Sequence, residues 1–83
     1  MSLEDKILLI FEIAELEGED VTLEKLCSAF NVDVPSELKE YADLPPRIAL
    51  ALVYARSEFK DVIKRAAERF MRDKLSAMVN VEH

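Results

Sequence analysis

The chain has no proline or glycine between Arg47 and its C-terminus, so the residues that most often end a helix are absent there. Apolar residues recur through this stretch at helical spacing and in one phase. They are Ile48, Leu52, Ala55, Phe59, Ile63, Ala66 and Phe70. This continuity favours one long helix from Pro46 to about Val79, in which the proline suits the first turn.

A helix of that length would conflict with the size of the chain. It would be roughly 50 Å long at 1.5 Å per residue, whereas a folded chain of 83 residues is only about 30 Å across. Either the helix breaks, for which Arg56-Ser57 with Ser57 as a new N-cap is the best position, or it projects and packs against another chain.

Three shorter helices are predicted before the prolines. The first covers Leu3–Leu16, with Ser2 as its N-cap, and its apolar positions follow the helical period. Thr22 can cap a second helix that Asn31 ends, because Asn tolerates the left-handed conformation. The third begins at Pro35 or Ser36, and its inward residues are predicted to be Leu38 and either Tyr41 or Ala42. The sequence therefore predicts one all-α domain over residues 1–83, with four to five helices and no β-sheet.

The charge is unevenly divided between the two halves of the chain. The net charge is −6, but residues 1–45 hold twelve acids and three bases, whereas residues 46–83 hold eight bases and five acids. The halves are electrostatically complementary, which bears on partners more than on fold.

The segment Ile48–Ala55 is apolar around its whole circumference and needs cover on every side. It is either a central helix wrapped by the rest of the chain or a surface for self-association. For the second case we predict a homodimer, and the residues expected at its contact are Ile48, Leu50, Val53 and Tyr54.

A set of basic residues on the last helix is the candidate binding surface for another molecule. Arg65, Arg69 and Arg72 fall on one side at 100° per residue, and lysines flank them. This basic strip consists of Lys60, Lys64, Arg65, Arg69 and Arg72. It is a solvated mixed-charge face, a docking strip for an acidic protein surface, or a nucleic-acid site.

The segment Thr22–Val32 resembles the first helix and turn of a helix-turn-helix unit. Leu26 and Phe30 take its inward positions, and Cys27 takes the position of the small residue. The resemblance implies DNA binding through a second helix. That helix would be Ser36–Asp43, which carries three acids and one base and would be repelled by phosphates.

Few residues are suited to catalysis. Cys27 lies among apolar neighbours, which predicts an inert thiol, and His83 is the only histidine. We therefore expect neither a catalytic site nor a bound metal or cofactor. The chain shows no signal peptide pattern and no apolar run near the ~20 residues that cross a bilayer, so a cytoplasmic protein without membrane contact is expected.

These features favour a non-enzymatic interaction or assembly module that forms a homodimer through its apolar C-terminal helix and docks onto another protein. The alternative is a small regulator that binds nucleic acid through the helix-turn-helix-like segment or the basic strip.

The composition also predicts resistance to heat. The chain has one glycine, no glutamine and 34% charged residues, which is the pattern of heat-adapted proteins. We expect a melting temperature above about 60 °C, because mesophile domains melt below that. Differential scanning calorimetry measures it, and a lower value would contradict the heat-adapted interpretation.

Overall fold

The computed structural model describes residues 2–17 and 20–81, with side chains as far as Met78. Within these ranges the chain forms four α-helices and a 3-10 helix, with no β-strand. In chain order they are α1 (Leu3–Glu17), α2 (Leu23–Ala29), the 3-10 helix (Ser36–Tyr41), α3 (Pro46–Tyr54) and α4 (Lys60–Val81). The predicted all-α class is confirmed.

The first two helices begin, and the second one ends, at the capping residues that the sequence predicts. The Asp5 N–H donates to the Ser2 hydroxyl at 3.2 Å, and the Lys25 N–H donates to the Thr22 hydroxyl at 3.3 Å, so both predicted N-caps are present. Asn31 has φ 56° and ends α2 in the left-handed conformation. The Val32 N–H bonds to the Cys27 carbonyl at 2.8 Å, which completes a Schellman motif.

The core lies between α1 and the helices that follow it. The 3-10 helix contributes Leu38, which has no exposed surface. The start of α2 is bonded to the segment that follows the 3-10 helix, because the Leu23 N–H donates to the Leu44 carbonyl and the Glu24 N–H donates to the Ala42 carbonyl. The buried core residues include Ile7, Leu8, Ile10, Leu23, Cys27, Leu38, Ala49, Leu50, Val53, Ile63 and Ala66.

The long C-terminal helix is broken. After α3 ends, residues 55–59 form turns, in which the Arg56 N–H donates to Val53 and the Phe59 N–H donates to Arg56. The expectation of one continuous helix is wrong, and the break falls near the predicted Arg56-Ser57. Ser57 lies within the turn, three residues before Lys60 begins α4, so it is not the N-cap.

The break exists because α3 and α4 bury different faces. In α3 the buried residues are Ala49, Leu50 and Val53, whereas α4 buries Ile63 and Ala66. In a straight helix these faces would lie roughly a third of a turn apart, at about 100° per residue, and could not share one core. The predicted in-phase stripe is therefore wrong in α3, where Ile48, Leu52 and Ala55 are exposed.

Arg56 holds the turn in place. Its guanidinium donates to Glu40 at 3.3 Å and to Glu58 at 2.7 Å, and it lies 5.2 Å from the centre of the Phe59 ring. Because Glu40 belongs to the 3-10 helix, the Arg56 side chain links the turn between α3 and α4 to the N-terminal half of the chain.

Helices α1 and α4 form the most extensive contact between helices. Phe11 of α1 stacks on Phe70 of α4, with ring centres 5.6 Å apart and 21° between the ring planes. Lys74, one turn beyond Phe70, forms an ion pair with Glu15, and its ammonium lies over the Phe70 ring.

None of the helices in the described part of the chain combines the length and the apolar character that a membrane span requires.

The burial of Leu38 predicts a large cost for its removal. Leu38→Ala would leave a cavity and lower the free energy of unfolding by about 2–5 kcal/mol. Urea denaturation followed by circular dichroism measures this. Leu16→Ala is the control, because Leu16 is largely exposed and surface changes cost less than about 0.5 kcal/mol. Equal losses in the two variants would contradict the assignment of Leu38 to the core.

Candidate interaction surfaces

The structure divides the predicted basic strip into two groups. Arg65 and Arg69 turn towards α1 and bind its first-turn acids. Arg65 donates to Glu4 at 2.7 Å, and Arg69 donates to Glu4 and to Asp5, each at 2.8 Å. These two arginines are therefore engaged within the chain, and the strip is not a continuous free surface.

These ion pairs change the ionisation of the acids. The hydrogen bonds from Arg65 and Arg69 lower the pKa of Glu4, and the hydrogen bond from Arg69 lowers the pKa of Asp5. Both acids also lie at the positive end of the α1 dipole. The complementary charge of the two halves is thus used in part inside the fold.

The other three members of the strip lie away from α1. The Lys60 ammonium lies 5.4 Å from the centre of the Tyr54 ring, where a cation is attracted to the aromatic face. Lys64 and Arg72 are exposed and border a shallow depression of about 470 Å³ along α4.

An exposed apolar stripe occupies the same side of α4 as these three bases. Met71, Leu75 and Met78 are 56%, 58% and 63% exposed. Ala67, one turn before Met71, continues the row, and we call these four residues the α4 stripe. Every side chain from Met71 to Met78 is in the exposed class, so this end of the helix extends beyond the core.

The α4 stripe was missed by sequence reasoning. Its signal was present, because residues 67, 71, 75 and 78 recur at intervals of four, four and three residues. The sequence prediction followed the stronger apolar row through Ile63, Ala66 and Phe70, which lies on a different face of the same helix.

A second uncovered surface lies on α3. The outward residues Ile48, Ala51 and Leu52 of this helix, together with its C-cap residue Ala55, form a surface that we call the α3 outer face. Ile48 and Leu52 are 48% and 41% exposed, and the segment Ile48–Ala55 contains no charged residue.

The four residues predicted for self-association do not lie together on this surface. Leu50 and Val53 are only 6% and 1% exposed, since they face the core of their own chain. They are not available to a partner. Ile48 lies on the α3 outer face, and the partly exposed Tyr54 lies on its flank beside Lys60.

A groove lies between α1, α3 and α4. Its volume is about 430 Å³, and its walls are mainly apolar, with Phe11, Leu50 and Phe70 among them. Its charged residues are Glu15, Arg47 and Lys74, and Glu15 is already paired with Lys74. The residues that line the groove include no hydroxyl, thiol or imidazole group.

The helix-turn-helix-like segment does not continue as its resemblance implies. The first helix and the turn are present as α2 and Asn31–Val32, but the next element is a six-residue 3-10 helix. Its Leu38 is fully buried, and Glu40 is held by Arg56. This element presents no α-helix to a DNA groove.

The other residues considered for chemistry remain without a site. Cys27 is buried, and burial raises the pKa of its thiol. Among residues 2–17 and 20–81, no group of three or more His, Cys, Asp or Glu side chains is placed to hold a metal ion. His83 lies outside the described residues.

Comparison of the chain with protein-family models, with curated proteins and with solved structures finds no match. The candidate surfaces are therefore defined by this fold alone.

The ion pairs between α1 and α4 predict a dependence of stability on pH. The folded-state pKa values of Glu4 and Asp5 lie below their ordinary 4.5 and 3.8. The stabilisation is therefore present above these ordinary values and is lost as the pH falls through the lowered ones. We expect Glu4→Gln/Asp5→Asn to lower the melting temperature at pH 7, and the difference from the native chain to shrink as the pH falls below these ordinary values.

The matched control is Glu12→Gln/Glu17→Gln, which makes the same change in net charge at exposed positions of the same helix. Thermal unfolding followed by circular dichroism between pH 2 and pH 7 compares the variants. A loss at pH 7 that is equal in both double variants, or that stays undiminished at low pH, would show that the ion pairs do not stabilise the fold.

Proposed function

We propose that this chain is a non-enzymatic protein-interaction module that self-associates through the α3 outer face. The observation that carries the proposal is that Ile48 and Leu52 are each about half exposed on a helix face without charge. Contiguous exposed apolar surface of this kind marks interaction sites in proteins.

The shape of the face favours a second copy as its occupant. Ile48 and Leu52 lie one turn apart and form a ridge, while Ala51 and Ala55 lie beside them and form a groove. A second copy related by a twofold axis presents the same ridge and groove, so each ridge can lie in the groove of the other copy. A charge-free surface also leaves no ion unpaired when it is covered.

The expected affinity is modest. Burying a Leu or Ile side chain fully contributes about 1.5–3 kcal/mol, and here only the exposed half of each remains to be covered. Four such side chains meet across a twofold contact, and their gain is offset by the entropy lost on association. Halving that figure for each of the four side chains gives about 3–6 kcal/mol before the entropy cost, so we expect a weak dimer with a dissociation constant no tighter than about millimolar.

Docking onto a further protein is the second part of the proposal. Lys60 and Lys64 remain on the outside of α4, where they can meet acidic groups, whereas Arg72 lies beside Glu68, which would repel an acidic partner. Arg65 and Arg69 are left out of this surface, because breaking their ion pairs with α1 would cost stability.

The absence of an enzymatic role is also proposed from the chemistry of the described residues. The thiol of Cys27 is buried, and the groove between α1, α3 and α4 offers a carboxylate that is already paired. A general acid or base has to be free to exchange its proton with a substrate.

The self-association can be tested by placing charges on the α3 outer face. We expect Ile48→Glu/Leu52→Glu to give a smaller assembly than the native chain at about millimolar concentration, because like charges would meet across the twofold contact. Light scattering after size exclusion measures the mass. The native chain should exceed the 9.5 kDa of the monomer.

Leu16→Glu serves as the control, because it places the same charge at an exposed leucine on α1. Circular dichroism confirms that the variants keep their helices. The proposal would be refuted by a monomeric native chain, or by a double variant whose mass equals that of the native chain.

A further inference from the structure

We infer that the α4 stripe forms a second contact between copies of this chain, in which two α4 helices pack antiparallel. This inference rests on the proposed self-association and adds a surface that is separate from α3. Its starting point is the exposure of Met71, Leu75 and Met78 on an extension of the helix that its own chain leaves largely uncovered.

The spacing of the stripe suits a helix as its partner. Ala67, Met71, Leu75 and Met78 form a narrow row at intervals of three and four residues, which is the seam that helices use to pack against each other. Glu68 and Arg72 border the row on one side and Lys74 borders it on the other, while Lys64 lies at the N-terminal end of the row.

The charges beside the stripe identify the second copy as the occupant. At roughly 100° per residue, Glu68 and Arg72 lie on the same side of Met71, one helical turn apart. No ion pair within the chain joins either of them to another described residue. A purely acidic partner would be repelled by Glu68, and a purely basic one by Arg72. A helix that carries both charges in the reverse order satisfies both.

An antiparallel copy of α4 is such a helix. A twofold axis perpendicular to the helices keeps the same side of each helix facing the same side of the other. With the axis level with residue 70, Glu68 lies opposite Arg72 of the second copy, and this pair occurs twice. Met71 then lies beside Met71 of the second copy near the axis, and Leu75 lies level with residue 65 of the second copy, between its Lys64 and Ala67.

The geometry predicts a specific pattern of charge reversal. Glu68→Arg should weaken self-association through α4, because two arginines of one copy would face two of the other. Arg72→Glu should also weaken it, because two acids of one copy would face two acids of the other. We expect each change to raise the dissociation constant about tenfold or more.

An equimolar mixture of the two variants should regain the assembly. In a mixed pair, the arginines of the first variant face the acids of the second, so every contact is attractive. An interaction within one helix cannot produce this rescue, because it does not depend on the other chain. Native mass spectrometry, with one variant carrying a mass label, detects the mixed species.

The experiment is run in the native chain and in the Ile48→Glu/Leu52→Glu background, where the α3 contact is disabled. If both contacts exist, that background still forms dimers through α4, and adding Glu68→Arg or Arg72→Glu converts these dimers to monomers. If only the α3 proposal fails, the background has the mass of the native chain and the mixture still regains its assembly.

The inference is overturned if Glu68→Arg and Arg72→Glu each keep the mass of their parent, or if their mixture forms no mixed species. Met71→Glu/Leu75→Glu gives a second measure, because both side chains are exposed and their replacement leaves the core intact. A double variant that keeps the mass of its parent also overturns the inference.

Discussion

The contact between α1 and α4 is the interaction on which the rest of the structure depends. Phe11 stacks on Phe70 at its centre, and ion pairs lie towards both ends, from Arg65 and Arg69 to the start of α1 and from Lys74 to Glu15. It joins the first helix to the last one, so the segments between them form a closed loop. Because the pairs are partly exposed, each of them adds only modestly to the stability of the fold.

Ion pairs of this kind explain why the charge of the chain is divided between its halves. The acidic first half and the basic second half meet at Glu4, at Glu15 and at Glu40, which binds Arg56 at the turn before α4. Part of the imbalance therefore serves the fold. What is left over for a partner is a smaller set of bases on the outer side of α4, next to exposed apolar residues.

The two uncovered faces have one common cause. An 83-residue chain with a thin core cannot wrap every side of two apolar helices. Once α1 occupies one side of α4, and α3 turns Leu50 and Val53 inwards, about half of the surface of Ile48, Leu52, Met71 and Leu75 stays uncovered within the chain. Self-association is the simplest way to cover them, and the proposed contacts differ in how they are recognised, by shape on α3 and by charge on α4.

The helical class, the caps at Ser2 and Thr22, the left-handed Asn31 and the start of α3 at Pro46 could be predicted from the sequence, because each of these depends on residues within one or two turns. The sequence did not determine which side of α3 is buried, since a helix apolar on every side carries no phase. It also did not show that Arg65 and Arg69 bind α1, about sixty residues away. Only the tertiary structure decided these points, because they depend on which segments compete for the same surface.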